Sequence, residues 1–95
     1  MQSQEVLQNL RALQPELANY HVASLALFGS VARNEAQQES DVDILVEFNK
    51  PVGLFVFVRL KRRLESSLGR PVDLVTPDAL RESMRAHVLH EAIYA

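Results

Sequence analysis

The sequence predicts an α/β domain with a three-stranded mixed sheet and about four flanking helices. Three short apolar runs bounded by turn-forming residues are typical of buried strands. Other stretches repeat apolar residues at the spacing of one helical face. The first two strands are joined closely enough to pair antiparallel, whereas a helix between the second and third makes that pair parallel. The sheet is therefore expected to be mixed.

Composition limits both the size of the domain and its partners. The 95 residues correspond to one domain, which we expect to span residues 1–95. A hydrophobic content of 47% is that of a globular core and argues against disorder. A net charge of −2 gives no reason to expect direct nucleic-acid binding. The absence of cysteine excludes disulfides, thiolate metal sites and cysteine nucleophiles.

The sequence shows no targeting signal. Residues 1–5 are polar and acidic, unlike the start of a signal peptide. No apolar run approaches the roughly 20 residues that a membrane-spanning helix needs. We therefore expect a cytoplasmic protein that makes no contact with a membrane.

The first helix is predicted from five apolar residues that share one face: Val6, Leu7, Leu10, Leu13 and Leu17. Ser3 is the predicted N-cap, because its hydroxyl can accept a hydrogen bond from a free N–H of the first turn. Pro15 disfavours the helical conformation at Gln14, so the helix is expected to end or kink there. We expect this helix to pack on the core.

The first strand, predicted over His21–Phe28, leads into a turn made by a glycine and a hydroxyl residue. Gly29 allows the chain to leave the strand sharply, and Ser30 can cap a short helix that ends near Arg33. N–H groups at such a helix start favour an anionic phosphate. A polar loop follows, at whose start Asn34 tolerates a left-handed backbone conformation.

The second strand, predicted over Asp41–Phe48, begins with two acids separated by one residue. Residues two apart in a strand point to the same face, which places the Asp41 and Asp43 carboxylates roughly 6–7 Å apart. The apolar residues between and after them face the core: Val42, Ile44 and Val46. Carboxylates held this close repel each other unless a cation lies between them, and their hard oxygens suit Mg²⁺.

The longest helix is predicted over Leu54–Leu68, although its first residues favour a strand by propensity. Helical spacing continues to its end, where Gly69 is a natural C-cap. Its polar side carries four cations: Arg59, Lys61, Arg62 and Arg63. These form either a solvated face or an electropositive surface for a triphosphate or an acidic partner.

The third strand is predicted over Val72–Val75, parallel to the second. Asp41 and Asp43 open the second strand and Asp73 opens the third. This register brings three carboxylates to one end of the sheet. The simpler alternative is that Asp73 is an ordinary acid at an exposed strand end.

The remainder of the chain is expected to be helical. Thr76 and Pro77 are typical of an N-cap and a first helical residue, which predicts a short helix through about Arg81. A last amphipathic helix is predicted from three apolar residues: Met84, Val88 and Ile93. The histidines show no metal-ligand spacing, so we expect them to be structural or exposed: His21, His87 and His90.

Gly29-Ser30, followed after ten residues by Asp41-x-Asp43, resembles the signature of the nucleotidyltransferase superfamily that includes DNA polymerase β. The fuller runs around these residues, 27–33 and 40–46, are similar to minimal nucleotidyltransferase (MNT) domains, and the similarity continues through 69–76. The resemblance implies a nucleotidyltransferase fold over most of the chain. It also implies that Asp73 is the third acid of the site.

The resemblance implies nucleotidyl transfer with two Mg²⁺ ions and ATP as the donor substrate. Three acids would be both catalytic residues and metal ligands: Asp41, Asp43 and Asp73. Asp73 would bind metal on the acceptor side and help to deprotonate the incoming hydroxyl. The Gly29 backbone and the Ser30 hydroxyl would hold the β- and γ-phosphates, which leave as pyrophosphate.

The resemblance further implies an antitoxin that transfers AMP to a tyrosine hydroxyl of a partner HEPN ribonuclease toxin. Two other functions remain open: neutralisation of the toxin by binding alone, and nucleotide transfer to a small molecule such as an aminoglycoside. The short chain argues against the small molecule, because little remains to build its pocket. Apolar residues at the start of the longest helix, 54–58, predict an interface with a second copy or another protein.

Overall fold

The computed structural model describes residues 2–37 and 40–95. Five α-helices lie in this part of the chain: α1 (Ser3–Ala12), α2 (Gln14–Leu17), α3 (Gly29–Ala32), α4 (Leu54–Leu68) and α5 (Glu82–Glu91). Four strands form the sheet: β1 (Val22–Phe28), β2 (Val42–Phe48), β3 (Val72–Val75) and β4 (Ile93–Tyr94). Two short 3₁₀ helices complete the regular structure: Ala18–Tyr20 and Pro77–Ala79.

The strands lie in the order β3-β2-β1-β4. β1 pairs antiparallel with β2, and β2 pairs parallel with β3, so both predicted pairings are confirmed. The predicted number of strands is wrong, because β4 adds a fourth, antiparallel to β1. The count of about four helices is also low, since α2 and α3 are separate short helices.

β4 replaces the end of the predicted last helix. The helix ends at Glu91 because Ala92 is extended, with φ −64° and ψ 136°. Ile93 then pairs with Leu27 and Tyr94 with Ala26, which covers the free edge of β1. Met84, predicted on a buried face, is 51% exposed. Only Val88 of α5 is buried, so this helix is not the amphipathic element that the sequence predicted.

The amino-terminal helices follow the prediction except at their cap. α1 ends at Ala12 and α2 restarts at Gln14 with Pro15 in its first turn, which confirms the predicted break. Ser3 is not the N-cap: it is buried inside the helix, and Gln2 occupies the cap position. The backbone N–H of Ser3 donates to Oδ1 of Asn34 at 2.8 Å, which connects α1 to the turn after α3.

The core lies mainly on one face of the sheet. The apolar sides of α1 and α4 pack there against β1 and β2 in one cluster, which includes Leu10, Leu27, Ile44, Leu60 and Leu64. A smaller cluster covers the other face: Ala26, Phe28, Leu45 and Val88. Burial on both faces explains why the strands are continuous apolar runs. The rigid sheet then fixes the polar residues at its ends.

The long helix is confirmed at Leu54–Leu68, despite the strand propensity of its first residues. Gly69 ends it in the left-handed conformation with φ 67°, as its C-cap role predicted. The predicted short helix after β3 is a 3₁₀ helix that ends at Ala79. Thr76 occupies its N-cap position and Pro77 begins it, as predicted, although the Thr76 side chain makes no capping hydrogen bond. Within the described ranges, the helices are too short or too polar to span a bilayer.

Candidate active site

The predicted site residues lie at one end of the sheet, on neighbouring strands. Phe28, the last residue of β1, pairs with Asp43 in β2, and Asp43 pairs with Asp73 in β3. β1 ends where the parallel pair β2 and β3 begins, so the turn after β1 lies beside both carboxylates. The structure therefore brings together Gly29, Asp43 and Asp73, which are far apart in sequence.

Asp43 lies at the centre of this arrangement and is half-buried. Burial raises the pKa of its carboxyl group to about 6, with further contributions from the negative charges of Asp73 and Asp41. The positive charge of Arg33 opposes this shift, and the protonated Asp43 donates a hydrogen bond to Asp73. A proton between two carboxylates relieves the same repulsion that a bound cation would relieve.

Asp41 lies just before β2, which begins at Val42 rather than at the predicted Asp41. Its side chain is exposed, and its charge still acts on Asp43. In residues 2–37 and 40–95, no three Asp, Glu or His side chains form a ready-made metal cage. The donor set nevertheless fits Mg²⁺, because carboxylate oxygens are hard ligands and the negative charges of Asp73 and Asp41 act on Asp43.

Gly29 is required at the turn after β1 for two reasons. Its φ is 75°, a left-handed conformation that side chains disfavour. A Cβ atom built on it would collide with Oδ2 of Asp43 and would lie only 3.0 Å from Cγ. The glycine therefore allows the turn to approach the carboxylate directly.

Ser30 is half-buried in α3, directly after this glycine. It is not the helix cap that the sequence predicted, because α3 already begins at Gly29 after the extended Phe28. The predicted left-handed residue after α3 is confirmed at Asn34, with φ 57°.

Two residues that the sequence did not single out for the site contact this turn: Arg33 and Glu91. Oε1 of Glu91 accepts hydrogen bonds from the backbone N–H of Gly29 at 3.1 Å and from Nη1 of Arg33 at 3.3 Å. Its Oε2 accepts from the same Arg33 nitrogen at 3.1 Å. The partners are 62 and 58 residues away in sequence, so no local pattern could have indicated them.

Arg33 and Glu91 stabilise each other's charged form. Burial acts to raise the pKa of Glu91, but the hydrogen bonds from Gly29 and Arg33 outweigh it and hold that pKa below its usual value. Hydrogen bonds to Glu35 and Glu91 raise the pKa of Arg33. His87, expected to be structural or exposed, is 73% exposed, and its Nε2 lies 3.7 Å from Oε2 of Glu91.

Arg70 contacts two residues that lie between α3 and β2. Its Nη2 donates to the carbonyl oxygens of Gln37 and Ser40, each at 2.9 Å. Ser40 directly precedes Asp41, so this contact fixes the chain that leads into the acidic pair. Arg70 lies just after α4, so the end of the long helix contacts the segment that precedes Asp41.

The cationic side of α4 is partly used for internal contacts. Arg63 donates two hydrogen bonds to the carboxylate of Glu16, at 2.7 and 3.1 Å, and thus joins α4 to α2. This pair supports the interpretation of the predicted cationic surface as a solvated, structural face.

A wide cleft of about 910 Å³ lies at the opposite end of β2. It is lined by the end of that strand, the loop that follows and the residues after β3, among them Val46, Phe48, Val52 and Asp78. None of the predicted site residues lines it. Its size alone therefore does not identify it as the reacting centre.

Comparison with known proteins assigns a family to this arrangement. Residues 4–95 match the nucleotidyltransferase domain family. The chain is 39% identical over 92 residues to protein adenylyltransferase MntA of Thermococcus cleftensis, covering 96% of this chain and 93% of that protein. It is 41% identical over 83 residues to a candidate protein adenylyltransferase of Methanocaldococcus jannaschii, covering 87% and 89% of the two chains.

Solved structures share the fold. A candidate minimal nucleotidyltransferase superposes with a TM-score of 0.84 at 38% identity, covering 98% of this chain and 95% of the other. A toxin–antitoxin structure with AMP-PNP gives 0.69 at 22% identity, covering 99% and 72%. A tri-AMPylated Shewanella oneidensis HEPN toxin in complex with an MNT antitoxin gives 0.66 at 21% identity, covering 94% and 70%. The last two likenesses concern the fold alone.

The glycine turn after β1, the carboxylates on two parallel strands and the similarity over nearly the whole chain lead to one assignment. The chain belongs to the nucleotidyltransferase domain family, and within it to the minimal nucleotidyltransferases, which makes it a nucleotidyltransferase.

Proposed function

We propose that this protein is an antitoxin that transfers AMP from ATP to a tyrosine hydroxyl of a partner HEPN ribonuclease toxin. The observation that carries the proposal is the pairing of Asp43 with Asp73 beside the Gly29 turn. Repelling carboxylates next to a tight glycine turn are what a metal-dependent phosphoryl-transfer site requires. Residues 1–95 act here as a single domain.

Asp41, Asp43 and Asp73 would hold Mg²⁺, two ions in the full site. When bound, the metal polarises the phosphate oxygens and stabilises the charge that develops on them. The Gly29 backbone and the Ser30 hydroxyl hold the β- and γ-phosphates, and the glycine lets this turn lie directly against Asp43. The partial burial of Asp43 strengthens these interactions.

The reaction forms one bond and breaks one. The tyrosine oxygen attacks the α-phosphorus of ATP, a new O–P bond forms, and the bond to the bridging oxygen between the α- and β-phosphates breaks. Asp73 helps to remove the proton of the incoming hydroxyl, and the electron pair of the broken bond leaves with pyrophosphate. Asp73 suits this role because it is exposed on the edge strand β3, where an acceptor can approach.

Two features support a protein as the acceptor. The relatives at about 40% identity bear the name protein adenylyltransferase, and the AMPylated chain in a structure of the same fold is a HEPN toxin. The acceptor would therefore arrive on another macromolecule, in a hetero-oligomer.

The second candidate is an antitoxin that neutralises its toxin by binding alone. The exposed apolar residues Leu54 and Phe55, 76% and 84% exposed, favour a protein interface of this kind. They lie at the start of α4, away from the carboxylates. Such a surface serves a pure binder as well as an enzyme, so the two candidates differ only in the need for the acids.

The test is to incubate this protein and the product of the neighbouring gene, the expected HEPN toxin, with ATP labelled on the α-phosphate and Mg²⁺. We expect label on the toxin, its loss on removal of Mg²⁺ with a chelator, and recovery of labelled tyrosine after digestion. The double variant Asp41→Asn, Asp43→Asn is expected to transfer nothing. If that variant still neutralises the toxin in full, the catalytic proposal is wrong and the binding function is correct.

A further inference from the structure

Glu91 lies beside the glycine turn because of the way the fourth strand pairs with the first. Leu27 in β1 pairs with Ile93 in β4. Gly29 lies two residues after Leu27, and Glu91 lies two residues before Ile93. In an antiparallel pair this continuation places the two residues opposite each other. Strand pairing on one side and the last turn of α5 on the other hold the backbone of Glu91.

The carboxylate is held as firmly as its backbone. Its side chain is only 17% exposed, and both oxygens accept hydrogen bonds, from the N–H of Gly29 and from Arg33. Moving it away would leave a carboxylate, a guanidinium and a backbone N–H without these partners. Glu91 is therefore part of the fixed frame of the site.

The two groups that Glu91 holds are the ones that face the reacting carboxylates. Gly29 touches Asp43 directly, and the positive charge of Arg33 acts on Asp43 as well. Along the sheet order, Asp73, Asp43, the Gly29 turn and Glu91 follow one another across all four strands. Glu91 is the outermost member of this row and supports the turn from the side away from the acids.

We propose that Glu91 is a positioning residue for nucleotidyl transfer, which holds the Gly29-Ser30 turn and Arg33 in the arrangement that receives the triphosphate. This inference rests on the proposed nucleotide-binding function of that turn. The same contact has an opposite possible consequence, because a carboxylate on the N–H of Gly29 could compete with a phosphate. The covered, strand-anchored position of Glu91 favours positioning, since competition requires the side chain to leave.

The test compares Glu91→Ala and Glu91→Gln with the wild type and with Glu82→Gln, an exposed glutamate on the same helix. Binding of AMP-PNP with Mg²⁺ is measured by calorimetry, and AMP transfer to the toxin is measured over a range of ATP concentrations. Melting temperatures define conditions in which every variant is folded. Glu91→Gln keeps an oxygen for Gly29 but loses the charge for Arg33, so it remains informative if Glu91→Ala fails to fold.

We expect Glu91→Ala to raise Kd for AMP-PNP and KM for ATP about tenfold, with kcat changed less than about threefold, because the turn binds the triphosphate in ground and transition states alike. Glu91→Gln should lie between Glu91→Ala and wild type, and Glu82→Gln should match wild type. Since Glu91 acts partly through Arg33, adding Arg33→Ala to Glu91→Ala should cost less than the sum of the single effects.

Unchanged nucleotide affinity in folded Glu91 variants would overturn the proposal, and tighter affinity would show competition instead. A wild type that binds AMP-PNP but labels no toxin would refute the proposed acceptor, while the difference in affinity would still test Glu91. A wild type that binds no nucleotide would refute both.

Discussion

The two ends of the sheet differ in the charged groups that they bring together and in the shape of their surface. At one end, Asp43 and Asp73 lie side by side. Burial, followed by the negative charge of Asp73, raises the pKa of Asp43 to about 6. At the other end lies the cleft of about 910 Å³, lined largely by apolar side chains and loop backbone. The larger concavity is thus at the end without the paired acids.

This difference shows which physical signal locates the chemistry in a small domain. A cleft forms wherever strand ends and loops diverge, and it does not by itself lower the free energy of unfolding. Paired carboxylates oppose folding, because each disfavours the charged form of the other. A fold retains such an unfavourable arrangement where function requires it, so charge repulsion is the more informative sign.

The largest expected effect contrasts an acid at each end: Asp73 beside Asp43, and Asp78, which lines the cleft. Asp73→Asn should lower kcat for AMP transfer by at least about a thousandfold, because it removes a metal ligand and the group that receives the acceptor proton. Asp78→Asn, an equally exposed acid five residues later, should stay within about twofold of wild type. Steady-state transfer of labelled AMP measures both.

Both variants should keep the wild-type circular dichroism spectrum, since neither side chain is buried. Unchanged turnover in Asp73→Asn would remove this residue from the site. A large loss in Asp78→Asn would mean that the cleft end takes part in the reaction.

Gly29→Ala should have the next largest effect. The left-handed φ disfavours alanine, and the added Cβ collides with Asp43, so we expect a loss of about 1–3 kcal/mol in the free energy of unfolding. Transfer should fall about a hundredfold even where the variant is folded, because the turn moves away from the carboxylate. Gly53→Ala, a glycine with no atom near the position of its Cβ, is the matched control.

Denaturant titrations and transfer assays on the two glycine variants decide the matter. Equal effects of the two substitutions would show that Gly29 is only a helix-start residue. A loss in Gly29→Ala alone would sharpen the contrast between the ends of the sheet, since Gly53 lines the cleft.

Stability should depend on pH through Asp43. The folded protein holds this proton more tightly than the unfolded chain, since the pKa is raised from 3.8 to about 6. The free energy of unfolding should therefore decrease as pH rises from about 4 to 6, by about 1 kcal/mol after allowance for solvent screening. Urea titrations without Mg²⁺ measure this slope, and Asp43→Asn should flatten it and be the more stable protein at pH 7.

Mg²⁺ provides the complementary measurement. It should stabilise the wild type at pH 7, where Asp43 is ionised, and should not stabilise Asp43→Asn. An identical slope with pH in the two proteins would show that the repulsion among the acids is relieved by other means.

The smallest expected effect is at the other end of the sheet. Leu54→Ser with Phe55→Ser should change the free energy of unfolding by less than about 0.5 kcal/mol, because both side chains are already exposed. KM for ATP should match wild type, as these residues line or adjoin the cleft and not the acids. A calorimetric titration with AMP-PNP and Mg²⁺ checks this. Weaker binding would show that the cleft end of the sheet contributes to nucleotide binding.

Much of the fold could be predicted because its signals are local. Strand-length apolar runs gave β1, β2 and β3 to within a residue at each end, and helical spacing gave α4 at Leu54–Leu68. Gly69 and Asn34 have the left-handed conformations expected of them. The parallel pairing followed from the long helix between two strands, since a connection of that length reaches the same side of the sheet.

The failures have a common cause. Ile93 has the spacing of a helical residue, yet it forms β4 because the edge of β1 offers backbone partners. Ser3 and Ser30 have the residue types of helix caps, but their backbones take other roles once the chain is packed. A local preference of about 1 kcal/mol is easily outweighed by tertiary pairing and burial.

The sequence by itself determined the order of the elements and the residues that can carry the chemistry. The spacing of Gly29, Ser30, Asp41 and Asp43 is a local property, read along one turn and one strand. Only the tertiary structure decided that Asp43 and Asp73 lie side by side, that Gly29 touches Asp43, and that Glu91 supports the turn. These contacts join residues distant in sequence, and their energies depend on burial and on neighbouring charges, which exist only when the sheet has formed.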